Sequence, residues 1–213
     1  IHMIYIHTFS WYEIALSEKC DWDFHDPLHM PEFHRPRFQD HGTSIHTLTR
    51  ENVGLPFSHC DGVYTELENT WIGSLTADCP ILIIMGQSEC AVVHSGWRGT
   101  KSGIWEQALR AFSTSRESLR VMIGPHIMGE SYEVQSDFLE HFPKEYFTFR
   151  HERIFFSLTQ VLLHDLIALW IKREHIFIDT HDTFLSNNFH SYRREKTWER
   201  WCFAVRMKGI PEW

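Results

Sequence analysis

The sequence predicts an α+β domain built on mixed β-sheet, and three observations carry that reading. Short apolar runs rich in Ile and Val, such as Ile81-Leu82-Ile83-Ile84-Met85, have the length and β-branching of buried strands. Two longer stretches instead repeat their apolar residues at helical spacing. The two kinds of segment follow one another without the strict strand–helix–strand series of a purely parallel sheet.

Taken in order, residues 26–36 read as a loop, because Pro27, Pro31 and Pro36 would interrupt any regular element. The run Ile81–Met85 is a strand that turns at Gly86-Gln87, and residues 91–94 are its return strand. Beyond Gly99, Thr100 and Ser102 can cap a helix over 103–112, with Ile104, Ala108, Leu109 and Phe112 on one face. Residues 119–123 form another strand, closed by Gly124-Pro125. Ser157 precedes a second helix whose repeating face carries Leu158, Val161, Leu162, Asp165, Leu166, Leu169 and Trp170. Residues 176–178 and 202–205 read as late strands. No repeat, low-complexity tract or linker divides the chain, so residues 1–213 are expected to form one domain.

The composition narrows the function. A chain of 213 residues with 43% hydrophobic and 15% aromatic content can bury a sizeable core. With 20 basic against 28 acidic residues, its formal charge of -8 argues against a nucleic-acid partner, which would need a Lys/Arg-rich face. A small anion gripped by a few arginines is compatible with that balance. The five cysteines, Cys20, Cys60, Cys79, Cys90 and Cys202, are odd in number and lack framework spacing, which reads as reduced thiols in a cytoplasm. The first twenty residues carry no signal-peptide pattern, and the longest apolar run, 80–86, falls far short of the ~20 residues of a membrane helix.

The chemistry-bearing residues concentrate around two segments, Thr76-Ala77-Asp78-Cys79-Pro80 and His94-Ser95-Gly96-Trp97-Arg98-Gly99-Thr100. One strand, a turn and a return strand separate Cys79 from His94, so a hairpin would bring both side chains to one edge. A thiolate and an imidazole suit zinc, with copper as the competitor. Two ligands do not hold a metal, and His41 in Gln39-Asp40-His41-Gly42 competes with His34, His46 and His59 to be the third. A three-ligand set would leave a fourth position open, the arrangement of a catalytic zinc. Against this, most of the 16 histidines are expected at the surface or hydrogen-bonded in the core, and a lone Cys before a strand is most often a small buried hydrophobe.

Gly96 and Gly99 allow close backbone approach and free N–H groups at a helix start, with Arg98 as a bidentate anion grip. The plainer reading of that segment is a packing turn with Trp97 in the core. In Phe189-His190-Ser191-Tyr192-Arg193-Arg194-Glu195, one arginine could clamp an anion beside an aromatic ring, although Arg194 paired locally with Glu195 is the simpler alternative.

In order and spacing these segments resemble the YfiH/YlmD-type family, long labelled multicopper polyphenol oxidases or laccase domains and understood as zinc-dependent purine nucleoside phosphorylases. The resemblance also draws on Cys60-Asp61-Gly62-Val63-Tyr64-Thr65 and on Ile123-Gly124-Pro125-His126-Ile127 running to Tyr132-Glu133-Val134. It implies zinc on His41, Cys79 and His94. It also implies a four-layer α/β/β/α sandwich with mixed sheets, shared in outline with certain deamidating toxin domains. The implied activity is phosphorolysis of adenosine, inosine, guanosine and methylthioadenosine, together with deamination of adenosine. Arg98 and Gly99 are then expected at the phosphate or the sugar, Arg193 as a second anion contact, and Asp78 as a residue that orients a ligand or shuttles a proton. Three departures stand out: Asp40 where the family has valine, Pro80 directly after Cys79, and Glu199 in place of a glycine before Arg200. The rival readings are a copper-dependent polyphenol oxidase, a metal-free cysteine hydrolase using Cys79 and His94, and a binding domain braced by zinc.

Overall fold

The computed structural model describes residues 4–9, 11–17 and 33–209. Pro27, Pro31 and Cys20 lie outside the described residues. In chain order the first strands are β1 (Ile4–Phe9), β2 (Tyr12–Ser17), β3 (Phe33–His34), β4 (Ile45–Leu48), β5 (Gly62–Thr65), β6 (Trp71–Thr76), β7 (Ile81–Met85) and β8 (Cys90–His94). Helices α1 (Trp97–Lys101) and α2 (Ile104–Leu109) follow, then β9 (Arg120–Ile123), β10 (Glu133–Val134), β11 (Phe147–Arg150) and β12 (Arg153–Phe156). The chain continues through α3 (Leu158–Ala168), β13 (Ile176–Ile178), α4 (Tyr192–Glu195) and β14 (Trp201–Met207).

The strands form two mixed sheets and a small antiparallel one. The six-stranded sheet has the order β13-β9-β7-β8-β5-β4, with parallel pairing at both edges and antiparallel pairing between. The five-stranded sheet runs β1-β2-β14-β6-β3, and β10-β12-β11 make the third. Because successive side chains of a strand point to opposite faces, β7 is apolar throughout only if both its faces are covered. They are: Ile81, Ile83 and Met85 share a cluster with Ile14, Ile72, Phe203 and Val205 of the five-stranded sheet. Leu82 and Ile84 share another with Ile104, Ala108 and Leu109 of α2 and with Val161, Leu162 and Leu166 of α3. These clusters define three layers, namely helices, six-stranded sheet and five-stranded sheet; they do not include the fourth layer of the implied sandwich.

The expected strands at 81–85, 91–94, 119–123, 176–178 and 202–205 are all present, with shifts of a residue or two at their ends. The first helix differs. The expected span 103–112 holds a shorter helix, α2, entered through Gly103, whose φ of 76° is open to glycine and costly for a side chain, and a separate short helix, α1, precedes it. Thr100 therefore does not cap it: the hydroxyl folds back onto the carbonyls of Ser95 and Gly96 at 3.0 and 3.1 Å. Ser157 caps α3 as expected, its hydroxyl oxygen accepting the Gln160 N–H at 3.3 Å.

One buried carboxylate joins the layers. Glu89 is 1% exposed and accepts the Thr114 N–H at 2.6 Å, the Ser113 N–H at 3.0 Å and the Tyr64 hydroxyl at 2.8 Å. Burial alone would raise its pKa, but these donors outweigh burial and hold it below the ordinary 4.5. The stabilisation is therefore present above pH 4.5 and disappears as pH falls through the lower, folded-state value. Glu89→Gln sets an amide NH2 against backbone donors and is expected to cost roughly 2–3 kcal/mol at neutral pH. In urea melts the gap between wild type and variant should narrow as the buffer is taken well below pH 4.5; a gap independent of pH would show that the charge is not what matters.

Candidate metal centre

The β7–β8 hairpin makes the site. Its register pairs Ile81 with His94, so the chain just ahead of β7 brings Cys79 to the sheet edge where His94 ends β8. The neighbouring pair β5–β8 matches Gly62 with Val93, which sets Asp61 beside His94. Asp61 then gathers the third residue. Its carboxylate accepts the backbone N–H groups of Asp40, His41 and Gly42 at 3.1, 2.9 and 2.8 Å, folding that loop over the hairpin end. His41 adopts a left-handed φ of 57° and Asp78 one of 87°, so both turns that deliver ligands carry local backbone strain.

The outcome is a cluster in which ligand atoms of His41, Cys79 and His94 all lie within 4.8 Å of one another. It is the one group of three or more metal-ligating side chains among the described residues. His34, His46 and His59, the competitors for the third position, are not part of it. His94 is 3% exposed, and its Nδ1 lies 2.9 Å from Asp61 Oδ1, which leaves Nε2 as the ligating nitrogen. Burial works against charge on both partners, yet Asp61 and Cys79 raise His94 to about 9, while hydrogen bonds with His41 and His94 lower the Cys79 thiol to about 6. A sulfur that readily becomes thiolate between two imidazoles is a donor set suited to a thiophilic divalent ion.

The packing fits the same purpose. A Cβ on Gly96 would meet Cys79 Sγ at 3.0 Å and His41 Cδ2 at 3.2 Å, so only glycine leaves room for the two ligands. A Cβ on Gly99 would meet the Gly42 carbonyl at 2.9 Å, so α1 packs hard against the His41 loop. The residues present therefore fit a bound metal.

A family model described as multi-copper polyphenol oxidoreductase laccase matches residues 28–208. The chain belongs to this laccase-domain family. It is 35% identical to a purine nucleoside phosphorylase of Aquifex aeolicus over 146 residues, covering 68% of this chain and 69% of the relative. It is 30% identical to the purine nucleoside phosphorylase YfiH of Escherichia coli over 170 residues, covering 75% and 68%. In fold it is similar to YlmD from Geobacillus stearothermophilus, with a TM-score of 0.82 at 19% identity over 94% of this chain and 93% of that one. The Bacillus licheniformis protein YfiH gives 0.78 at 20% identity over 92% and 93%.

Two cavities flank the cluster of this laccase-domain chain and share Ala77, Cys79 and Tyr192. The smaller, about 110 Å³, is walled by Trp97, Ile127, Tyr132 and Leu158, with Asp78 and Arg193 at its polar end. The larger, about 650 Å³, reaches His41 and His94 as well as Cys79. Asp78 is buried, and its carboxylate accepts the Thr183 hydroxyl at 2.7 Å, the Ser191 hydroxyl at 3.0 Å and the Arg193 N–H at 2.7 Å. Arg193 lies over Tyr132 and donates to the Glu133 carbonyl at 2.6 Å. Arg194 is committed to the carbonyls of Thr183, Phe184, Ser186 and Phe189, so Arg193 is the arginine of that pair at the cavity. Arg98 is exposed, with its guanidinium carbon 4.3 Å from the Trp97 ring centroid, and it lines neither cavity.

Asp61 is the residue that reading for chemistry missed. It stood inside a quoted motif, yet nothing in linear spacing links it to His94, because the link is the antiparallel pairing of β5 with β8. The substituted Asp40 turns away from the cluster to His59 Nδ1 at 3.2 Å. The early Pro80 is accommodated, its carbonyl accepting the Ser95 N–H at 2.8 Å. No described helix is long and apolar enough to cross a membrane.

Proposed function

We propose that this protein is a zinc-dependent purine nucleoside phosphorylase that also deaminates adenosine. The observation that carries the reading is the His41–Cys79–His94 cluster opening onto two cavities, in a chain whose relatives bear the phosphorylase name. When bound, zinc would supply Lewis acidity and a fourth coordination position. Asp61 holds His94 in the tautomer that ligates and fixes the His41 loop. Arg193 contacts the phosphate or the sugar from the smaller cavity's side. Asp78, with three donors already on its carboxylate, acts by orienting Arg193 and the Cys79 turn rather than by moving a proton.

Adenosine supplied with and without phosphate tests this directly. The expected products are adenine and ribose-1-phosphate when phosphate is present, and inosine without any need for it. Folded, zinc-loaded protein that makes none of the three would overturn the reading. A multicopper oxidase is disfavoured, because its centre needs more ligands than the three gathered among the described residues.

A further inference from the structure

The larger cavity has a chemistry that neither the metal ligands nor the smaller cavity use. Its walls include Arg35, Arg37 and Arg200, three guanidiniums around one opening in a chain whose formal charge is -8. No carboxylate is among the described residues that line it. Two described acids close to these arginines in sequence face other partners: Asp40 lies against His59, and Glu199 accepts from the Thr197 hydroxyl and sits 3.4 Å from His190 Nδ1.

Arg200 is also prepared for an anion. Arg200 Nη1 donates to the carbonyls of Thr197 and Glu199 at 3.0 and 2.8 Å, which anchors one corner of the fork and leaves its other N–H groups to a ligand. Burial weighs against the charge of Arg200, a desolvation cost that a bound anion would offset. A planar fork matches the oxygens of a phosphoryl group better than an ammonium does. Phe38 and Trp198, which are 64% and 86% exposed, add aromatic faces to the same walls, and about 650 Å³ is the volume of a nucleotide-sized ligand rather than of a lone ion.

We propose that Arg35, Arg37 and Arg200 form a phosphoryl-binding subsite in the larger cavity, adjoining the His41–Cys79–His94 cluster. The phosphoryl group belongs either to inorganic phosphate or to a nucleoside monophosphate, a choice that rests on the purine nucleoside reading. The subsite is distinct from Arg193, whose guanidinium already donates to the Glu133 carbonyl beside the smaller cavity.

Calorimetric titration of the intact protein with inorganic phosphate, and separately with adenosine 5′-monophosphate, tests the subsite without requiring turnover. Arg37→Glu is the first variant, because Arg37 is exposed and the reversal leaves its backbone bond to Phe57 in place; Arg200→Ala is the second. The dissociation constant is expected to rise roughly ten- to a hundredfold on loss of one charge-assisted contact. Weakening of phosphate alone identifies the co-substrate, weakening of the nucleotide alone identifies the ligand's own phosphate, and either supports the subsite. Unchanged affinity for both ligands in Arg37→Glu, or no binding of either by wild type, would overturn it. Protein that shows the loss yet forms no adenine, ribose-1-phosphate or inosine from adenosine keeps the subsite and loses the phosphorylase reading. Protein whose phosphate-dependent turnover and phosphate affinity are both unmoved by Arg37→Glu does the reverse.

Discussion

Cys79→Ala is expected to abolish stoichiometric metal binding and turnover together. The sulfur is one of three ligand atoms within 4.8 Å of one another, and it is the only anionic one. Its removal leaves two imidazoles, one on a loop exposed to solvent, and two neutral ligands do not retain a divalent ion at ordinary concentrations. The loss should exceed the ~10–100-fold that follows from removing an outer partner of a ligand. The fold should survive, because Cys79 is only half-buried and its neighbours are fixed by backbone bonds: the Asp78 carbonyl accepts the Ile127 N–H at 2.9 Å and the Cys79 carbonyl accepts the Thr76 hydroxyl at 2.8 Å. Elemental analysis of protein purified without added metal, alongside the adenosine assay, reads both effects. If wild type carried no metal and the variant lost turnover alone, Cys79 would be a nucleophile with His94 as its base, and the cysteine hydrolase reading would stand instead.

The legible parts of this molecule were those that short sequence windows encode. Ile81–Met85 and residues 176–178 are apolar on both faces, so length and β-branching identify them without knowledge of their partners. The five-stranded sheet was mostly invisible for the opposite reason. Strand β6 reads Trp-Ile-Gly-Ser-Leu-Thr and β2 reads Tyr-Glu-Ile-Ala-Leu-Ser, mixed patterns that become strands only through pairing with distant β14. The site divides the same way. Cys79 and His94 are joined by a local hairpin and could be paired from spacing. His41 could not be separated from His34, His46 and His59, because the selection is made by a carboxylate at position 61 that folds its loop inward. Of the two readings open to Gly96 and Gly99, an anion-binding helix start and a packing turn, the structure favours the second: a side chain on either would collide with Cys79, His41 or the Gly42 carbonyl around the metal ligands.

Asp61→Asn is expected to weaken both the metal site and the fold, and the arithmetic of hydrogen bonds says why. Asp61 is 1% exposed; Oδ1 serves the His41 N–H and His94 Nδ1, and Oδ2 serves the Asp40 and Gly42 N–H groups. A carboxylate has acceptor capacity for all four, whereas an amide has one oxygen and directs its NH2 at the other pair. If the NH2 faces the loop, two backbone donors are opposed and the His41 turn loses its anchor. If it faces His94, the imidazole must present a bare Nδ1, and its proton moves to the nitrogen that ligates the metal. Losing charge-assisted bonds in a buried position costs about 3 kcal/mol. Metal affinity should fall ~10–100-fold, the range observed for outer partners of ligating histidines. Chelator competition and thermal melts of the metal-free and metal-loaded forms distinguish the two effects. Saturating metal should restore occupancy but leave the metal-free melting temperature low, since added ligand stabilises only the form that binds it. An Asn variant with wild-type metal affinity would show that His94 is oriented by the β8 backbone alone and that Asp61 serves only the loop.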